Sequence, residues 1–200
     1  MISAILLAAG QSKRLKSENK LIKLYKKIPL INYSLKVLYK SKVNKVIIVL
    51  GHQHKEIKKI IKKNQKNIFI YNKGYKKGMA SSIKVGLKKI SRHDKGFIIV
   101  QSDMPFIKTS DINKIYNSIK LKNYLVHVLK FKNKVGNPIG FDISLTKKFK
   151  NIKGKFGAKF MVKRLKNKTK FIKINSAKSF KDFDKVSDFR VWFTEINSKK

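Results

Sequence analysis

The 200-residue chain has no cysteine, which excludes disulfide frameworks, thiolate nucleophiles and cysteine-based zinc sites. Nothing calls for an oxidising compartment, and a reducing cytoplasm is the expected location. Acidic residues number only ten, against fifty lysines and arginines, so a site built on carboxylates has few candidates. Prolines number three, and no Gly/Ser-rich or Pro-rich linker divides the chain. With 42% hydrophobic residues, this length suits a single domain, 1–200, with a sizeable core. The first apolar run, Met1 to Ala9, lacks the basic flank of a signal peptide and is too short to span a membrane. It reads as a buried strand, and no membrane partner is expected.

Arginine is scarce too. It occurs only at Arg14, Arg92, Arg164 and Arg190, so lysine supplies 46 of the 50 basic residues behind the net charge of +40. Such a charge suggests a polyanion binder, but readers of nucleic acid favour the planar guanidinium fork, and these lysines are strewn through every segment. Lysine, asparagine, isoleucine, phenylalanine and tyrosine all have A/T-rich codons, so genomic base bias is the simpler reading. No specific nucleic-acid partner is expected, only attraction of anions to clefts and weak nonspecific adhesion. A nonenzymatic nucleic-acid-binding protein stands as the rival reading, and it predicts steep salt dependence and indifference to loss of Asp103.

Apolar runs alternate with amphipathic stretches through the first half, the pattern of βαβ units in a mostly parallel sheet. Strands are predicted at Ile2 to Ala8, Lys45 to Leu50, Ile68 to Tyr71 and Gly96 to Val100. Helices are predicted from Pro29 to Lys40, over 55–63, from Met79 to Ile90, and from a Thr109 or Ser110 cap to Ile119. Beyond about residue 122 the alternation weakens. Strands are expected at Leu125 to Phe131, Pro138 to Phe141 and Lys170 to Ile174, with short helices over 144–150 and 157–165 and a terminal helix carrying Trp192.

Leu7, Ala8, Ala9 and Gly10 end the first strand in small residues, which let a ligand approach the backbone and form an anion nest. Ser12, Arg14 and Lys20 follow, and the two cations would neutralise a polyphosphate. The loop matches neither GxxxxGK[ST] nor GxGxxG, so kinase and dinucleotide-dehydrogenase readings fail. An ordinary strand-to-helix turn in a lysine-rich chain is the alternative. Asp103 closes a central strand, where it suits either an Mg²⁺ ligand or a turn aspartate before Met104-Pro105. The residues alone leave these two readings even.

The segment Leu7-Ala8-Ala9-Gly10-Gln11-Ser12-Lys13-Arg14-Leu15, continued by Asn19-Lys20-Leu21 and Pro29-Leu30, resembles the LAAGxSxRMGxxxK signature of MobA-like nucleotidyltransferases, especially the molybdenum cofactor cytidylyltransferases. Gly78-Met79-Ala80-Ser81-Ser82-Ile83, Ser102-Asp103-Met104-Pro105, Gly136-Asn137-Pro138 and Asp182-Phe183-Asp184-Lys185-Val186-Ser187-Asp188 resemble further family segments, in the family's order. Lys16 stands where the family has glycine, and Lys155 and Lys159 stand in its G-D-x-G-A-R segment for aspartate and arginine.

The resemblance implies a three-layer, Rossmann-like α/β fold with a mostly parallel central sheet, similar to the glycosyltransferase-A fold. It implies transfer of CMP from CTP to a molybdopterin-type cofactor, with pyrophosphate released and Mg²⁺ as the metal. GTP or another NTP as donor, or a sugar or alcohol phosphate as acceptor, are the alternatives; a family member that binds without turnover is another, motivated by Lys16 and Lys155. Arg14, Lys20 and Asp103 would be catalytic. Leu7, Ala8, Ala9, Gly10, Ser12, Arg14, Lys20, Ser81, Ser82 and Asp103 would hold the nucleotide, and Gly136, Asn137 and Pro138 the phosphorylated pterin. Asp103 and Asp184 would bind the metal, with Asp182 and Asp188 as the other candidates for the second carboxylate, and transient contact with a molybdoenzyme or its chaperone would follow. Capping of a helix is nearly as good a reading for Ser81 and Ser82. Asp111 and Asp188 read as helix-start residues, His52 and His54 as an exposed loop pair, and His93 and His127 carry no assigned role.

Overall fold

In the computed structural model, residues 1–12, 15, 19–152 and 157–190 are described. Arg14, Lys16, Lys155 and Trp192 lie outside them. A seven-stranded sheet runs through the molecule. Its strands are β1 (Ile2–Ala8), β4 (Lys45–Leu50), β5 (Asn67–Tyr71), β6 (Gly96–Gln101), β7 (Val126–Phe131), β8 (Lys134–Asp142) and β9 (Thr169–Lys173), in the order β5-β4-β1-β6-β8-β7-β9. Every neighbouring pair is parallel except those made by β8, which runs antiparallel to β6 and β7. The remaining strands, β2 (Leu24–Tyr25) and β3 (Ile28–Pro29), form a small hairpin that the sequence pattern does not signal.

The central strands alternate their side chains between two cores, as period-two geometry requires of a sheet covered on both faces. Leu6, Val46, Ile48, Ile98 and Val100 point to one layer, with helices α1 (Leu30–Lys40), α2 (His54–Lys59) and α4 (Thr109–Lys120). Ile5, Ile47, Val49, Phe97 and Ile99 point to the other, with α3 (Met79–Leu87), α5 (Thr146–Phe149) and α6 (Ala158–Arg164). This is the three-layer, mostly parallel α/β architecture expected. A third cluster, Leu15, Tyr25, Leu30, Phe183 and Phe189, sits beneath α7 (Val186–Arg190).

Several boundaries differ from the sequence pattern. Helix α2 stops at Lys59, short of residue 63, because continuing would stack Lys55, Lys58, Lys59, Lys62 and Lys63 at like-charge spacings. Helix α3 ends at Leu87, after which Lys88, Lys89 and Ile90 donate to carbonyls three residues back in a tightened final turn. Neither Thr109 nor Ser110 caps α4. The helix starts at Thr109, and the Asp111 carboxylate reaches back to accept from the Lys108 N–H at 3.1 Å, as a third-position acid does in a capping box. Strand β8 begins at Lys134 and pairs with β7 as a hairpin, with a register shift that leaves Asn137 and Pro138 outside the ladder; proline, lacking an N–H, suits such an irregularity.

Candidate active site

The chain order reverses between β1 and β6, since β4 and β5 build outward on one side of β1 before β6 returns to the other. Loops leaving the carboxyl ends of two such strands diverge and open a crevice. A cavity of about 520 Å³ lies there, lined by Leu7, Ala9, Gly10, Gln11, Ser12 and Lys20 from the first strand and its loop, by Gln101 of β6 and Ser102 and Asp103 just after it, by Tyr75 to Ser82 in part, and by Asp182 and Asp184.

The loop after β1 is held by short-range polar bonds. Ser12 takes a left-handed backbone, φ 51°, and its hydroxyl accepts from the Lys20 N–H at 3.0 Å. Buried Asn19 accepts from the Leu21 N–H at 3.1 Å, and the His52 N–H reaches the Ala9 carbonyl at 3.4 Å. Gly51 is closely packed beside this loop: a Cβ there would lie 2.7 Å from Ala9 Cβ and from Tyr75 Cβ. At Gly10, by contrast, a Cβ meets nothing within 4 Å. Gly10 therefore leaves room beside the cavity, whereas Gly51 packs against two residues that line it.

These constraints aim Lys20 across the cleft. Its ammonium lies 2.5 Å from Asp103 Oδ2 and 2.6 Å from Asp184 Oδ1. The Lys20 and Asp103 side chains are only 14% and 15% exposed, and that of Asp184 is 35% exposed. Burial disfavours the Lys20 charge, yet the adjacent Asp103 and Asp184 carboxylates overcome it and raise the pKa. Burial pushes the Asp103 carboxyl up, with Lys20 opposing and Asp182 adding to the rise. Asp103 Oδ1 is buried, without a hydrogen-bond partner among the described residues.

Asp184 reaches the site from 81 residues downstream, carried by its neighbour Phe183. The Phe183 N–H donates to the Asp103 carbonyl at 2.9 Å, and the Phe183 ring is fully buried against Tyr25, Phe106 and Phe189. Asp182 and Asp184 flank this plug, and both line the cavity. Asp188 Oδ2 accepts from the Asp184 and Lys185 N–H groups, each at 2.8 Å, so it organises the turn that carries Asp184 as well as starting α7.

On the opposite wall, Gly78 precedes α3 with φ 98°, a conformation that glycine adopts without strain. Buried Asn72 donates to the Ser81 and Ser82 hydroxyls at 2.9 and 3.0 Å and accepts from the Gly74 N–H at 3.0 Å. Ser81 spends its own proton on the Gly74 and Gly78 carbonyls. Ser82 lines the cavity and Ser81 does not.

Leu7, Ala9, Gly10, Ser12, Lys20, Ser82, Asp103 and Asp184 are thus brought together, while Ala8 is buried beneath them. Gly136, Asn137 and Pro138 do not line the cavity; Gly136 packs against Phe180, and Asn137 is buried with its Oδ1 unpartnered. His52 and His54 are half-buried rather than exposed, with the His54 ring 4.3 Å from that of Tyr71. Among the described residues no three His or acidic side chains cluster in a way that could hold a metal. Tyr75 and Lys76 are site neighbours that the motifs do not mark, whereas Asp182 falls within the Asp182–Asp188 segment and lines the cavity beside Asp184. For Asp182 a signal existed in its two-residue spacing from Asp184 about a large apolar residue.

Comparison with known proteins bears on the family and the fold. The chain is 35% identical over 127 residues to 2-C-methyl-D-erythritol 4-phosphate cytidylyltransferase of Lachnoclostridium phytofermentans, covering 60% of this chain and 53% of that protein. It is 27% identical over 142 residues to the bifunctional protein GlmU of Thermosipho melanesiensis, covering 70% of this chain and 30% of that one. The chain therefore spans about half, or less, of these curated relatives. In fold it is similar to the crystal structure of Rv0371c from Mycobacterium tuberculosis, with a TM-score of 0.84 at 18% identity over 96% of this chain and 97% of that one. A manganese complex of Rv0371c superposes with a TM-score of 0.79 at 17% identity, over 94% of this chain and 96% of that one. The family model for the MobA-like NTP transferase domain matches residues 4–169, and the chain belongs to that nucleotidyltransferase family.

Proposed function

We propose that this protein transfers CMP from CTP to a small phosphorylated acceptor, a molybdopterin-type cofactor, and releases pyrophosphate. The observation that carries the reading is the Lys20–Asp103–Asp184 cluster at the cavity formed where β1 and β6 part. Leu7, Ala9, Gly10, Ser12 and Ser82 would contact the nucleotide, with Ala8 supporting them from below. Lys20 and Arg14 would neutralise the phosphates. Gly136, Asn137 and Pro138, at the same end of the sheet as Asp103, would face the acceptor after it binds.

In this reading an acceptor phosphate oxygen attacks the α-phosphorus in line, the new phosphoanhydride forms, and the bond to the β-phosphate oxygen breaks. No protein nucleophile is required, so positioning and charge neutralisation carry the rate. The donor set suits a hard divalent cation, because Asp103 keeps one buried oxygen without a hydrogen-bond partner among the described residues and a second carboxylate meets it at Lys20. Mg²⁺ held by Asp103 and Asp184 would neutralise the phosphates and polarise the α-phosphoryl group. Lys20 and Arg14 would hold the departing pyrophosphate, and the loop around Gly10 would exclude bulk water from it. The 35% identical cytidylyltransferase supports CTP as donor and favours an alcohol phosphate as a second acceptor reading.

Pyrophosphate release tests both readings, measured with Mg²⁺, each NTP in turn, and either molybdopterin or 2-C-methyl-D-erythritol 4-phosphate. Release with CTP and molybdopterin, lost in Asp103→Asn, is the expected result. Release only with the alcohol phosphate would replace the acceptor. Absence of release with every pairing, despite nucleotide binding, would overturn catalysis.

A further inference from the structure

Lys20 lines the cavity, yet its ammonium is already engaged. It sits between the two carboxylates proposed to hold the metal, 2.5 Å from Asp103 Oδ2 and 2.6 Å from Asp184 Oδ1. Those distances leave no space for a cation on the same two oxygens, and two positive charges there would repel. The neighbouring Asp103 Oδ1 is buried and has no hydrogen-bond partner among the described residues, so a carboxylate oxygen beside Lys20 is left for a cation.

The surroundings explain why the lysine takes this position. Two carboxylates meeting in a partly buried corner repel and lose hydration, and the pair persists only with a cation between them. Lys20 is delivered there by backbone, since its own N–H is fixed to Ser12 Oγ at 3.0 Å and Asn19 beside it is buried. Its side chain is long enough to swing from the carboxylates into the cavity it already lines.

We infer that Lys20 is a resident counter-ion that occupies the metal site of the nucleotide-free protein and leaves it only when nucleotide phosphates arrive to take the ammonium. This rests on the nucleotidyl-transfer reading above and goes beyond it. A free divalent cation competes with a covalently tethered ammonium and binds poorly. A cation arriving with a polyphosphate meets no such competition, because the phosphates offer Lys20 a replacement partner. Metal and nucleotide therefore bind with positive coupling, and by linkage each strengthens the other equally. The site selects a metal–nucleotide complex over either component.

The test is Mn²⁺ binding without nucleotide, followed by electron paramagnetic resonance of the free ion, for the wild-type chain, Lys20→Met and Lys20→Gln. Lys20→Gln keeps a hydrogen-bond donor beside both carboxylates and serves if the methionine variant fails to fold. Both variants should bind Mn²⁺ alone about tenfold or more tightly than wild type, and Mn²⁺ should raise their melting temperatures while leaving that of wild type nearly unchanged. With a non-hydrolysable CTP analogue, wild type should gain Mn²⁺ affinity beyond that of the analogue itself, and the variants should gain less. Equal or weaker Mn²⁺ binding by both variants without nucleotide overturns the inference. That result leaves nucleotidyl transfer standing if wild type still releases pyrophosphate, so the two failures are distinguishable.

Discussion

Two polar clusters border the cavity, and they obey opposite rules. Around Asn72, both amide hydrogens, the amide oxygen and the Ser81 hydroxyl all find neutral partners, and the residue is only 2% exposed. Around Lys20, three charged groups crowd together, and Asp103 Oδ1 has no hydrogen-bond partner among the described residues. A saturated neutral network specifies a shape and has little left to give a ligand. An incompletely satisfied charged cluster costs folding energy and keeps affinity in reserve. In the proposed reading chemistry belongs to the second cluster, and the first builds a wall for it.

The largest expected effect would sharpen that contrast. Asp103→Asn should reduce pyrophosphate release by about 10³-fold, about 4 kcal/mol in activation free energy, while urea unfolding shifts far less. A loss of activity no larger than the loss of folded protein would break the comparison, because Asp103 would then be structural. Next comes the anchor between them. Phe183→Ala should destabilise the fold by about 3–4 kcal/mol, as for other buried phenylalanines, and should lower activity even at temperatures where the variant stays folded, since Asp184 loses its fixed position.

A third, distant cluster extends the neutral rule to titration. His127 is fully buried in β7, with Nε2 3.1 Å from the Tyr124 carbonyl and Nδ1 2.8 Å from Ser118 Oγ. The carbonyl can only accept, so Nε2 carries the proton and Nδ1 accepts from the serine. Burial lowers the pKa to about 4, against smaller opposing effects from the Tyr124 carbonyl and Asp142. The unfolded chain takes up a proton near pH 6.5 that the folded chain refuses until about pH 4. Stability is thus full above pH 6.5 and falls as pH drops to about 4, by up to about 3 kcal/mol. His127→Gln should flatten this slope in urea titrations across that range; an unchanged slope would assign it elsewhere. The smallest effect is expected from Asn72→Ala, about 2 kcal/mol of stability from orphaned partners, with activity per folded molecule falling much less than for Asp103→Asn.

Much of this was legible in the chain. Apolar runs of five to seven residues marked β1, β4 and β6, because strands buried on both faces tolerate almost no polar side chain. The small residues after β1 and the aspartate after β6 marked the cavity, because crevices of open α/β sheets form at strand carboxyl ends. Less legible was the second half. The register shift in β8 and the hairpin β2–β3 depend on pairing partners that no local pattern names, and α4 took its cap from Asp111 because an acid one turn inside outcompeted the hydroxyls at its start. No motif marks Gly51, although a Cβ there would crowd Ala9 and Tyr75, two residues that line the cavity.

What the sequence determined by itself was therefore local and periodic: the strand cores, the loop chemistry of Gly10, Ser12 and Lys20, and the family to which they belong. What only the tertiary structure decided was which charges meet. Asp184 is distant in sequence from both Lys20 and Asp103, and lies beyond the residues matched by the family model. It reaches them because Phe183 buries its ring in the third core and pairs its backbone with Asp103. Apolar periodicity reports one element's own burial. The meeting of three charges reports the packing of several elements at once, and that information resides in no single stretch of chain.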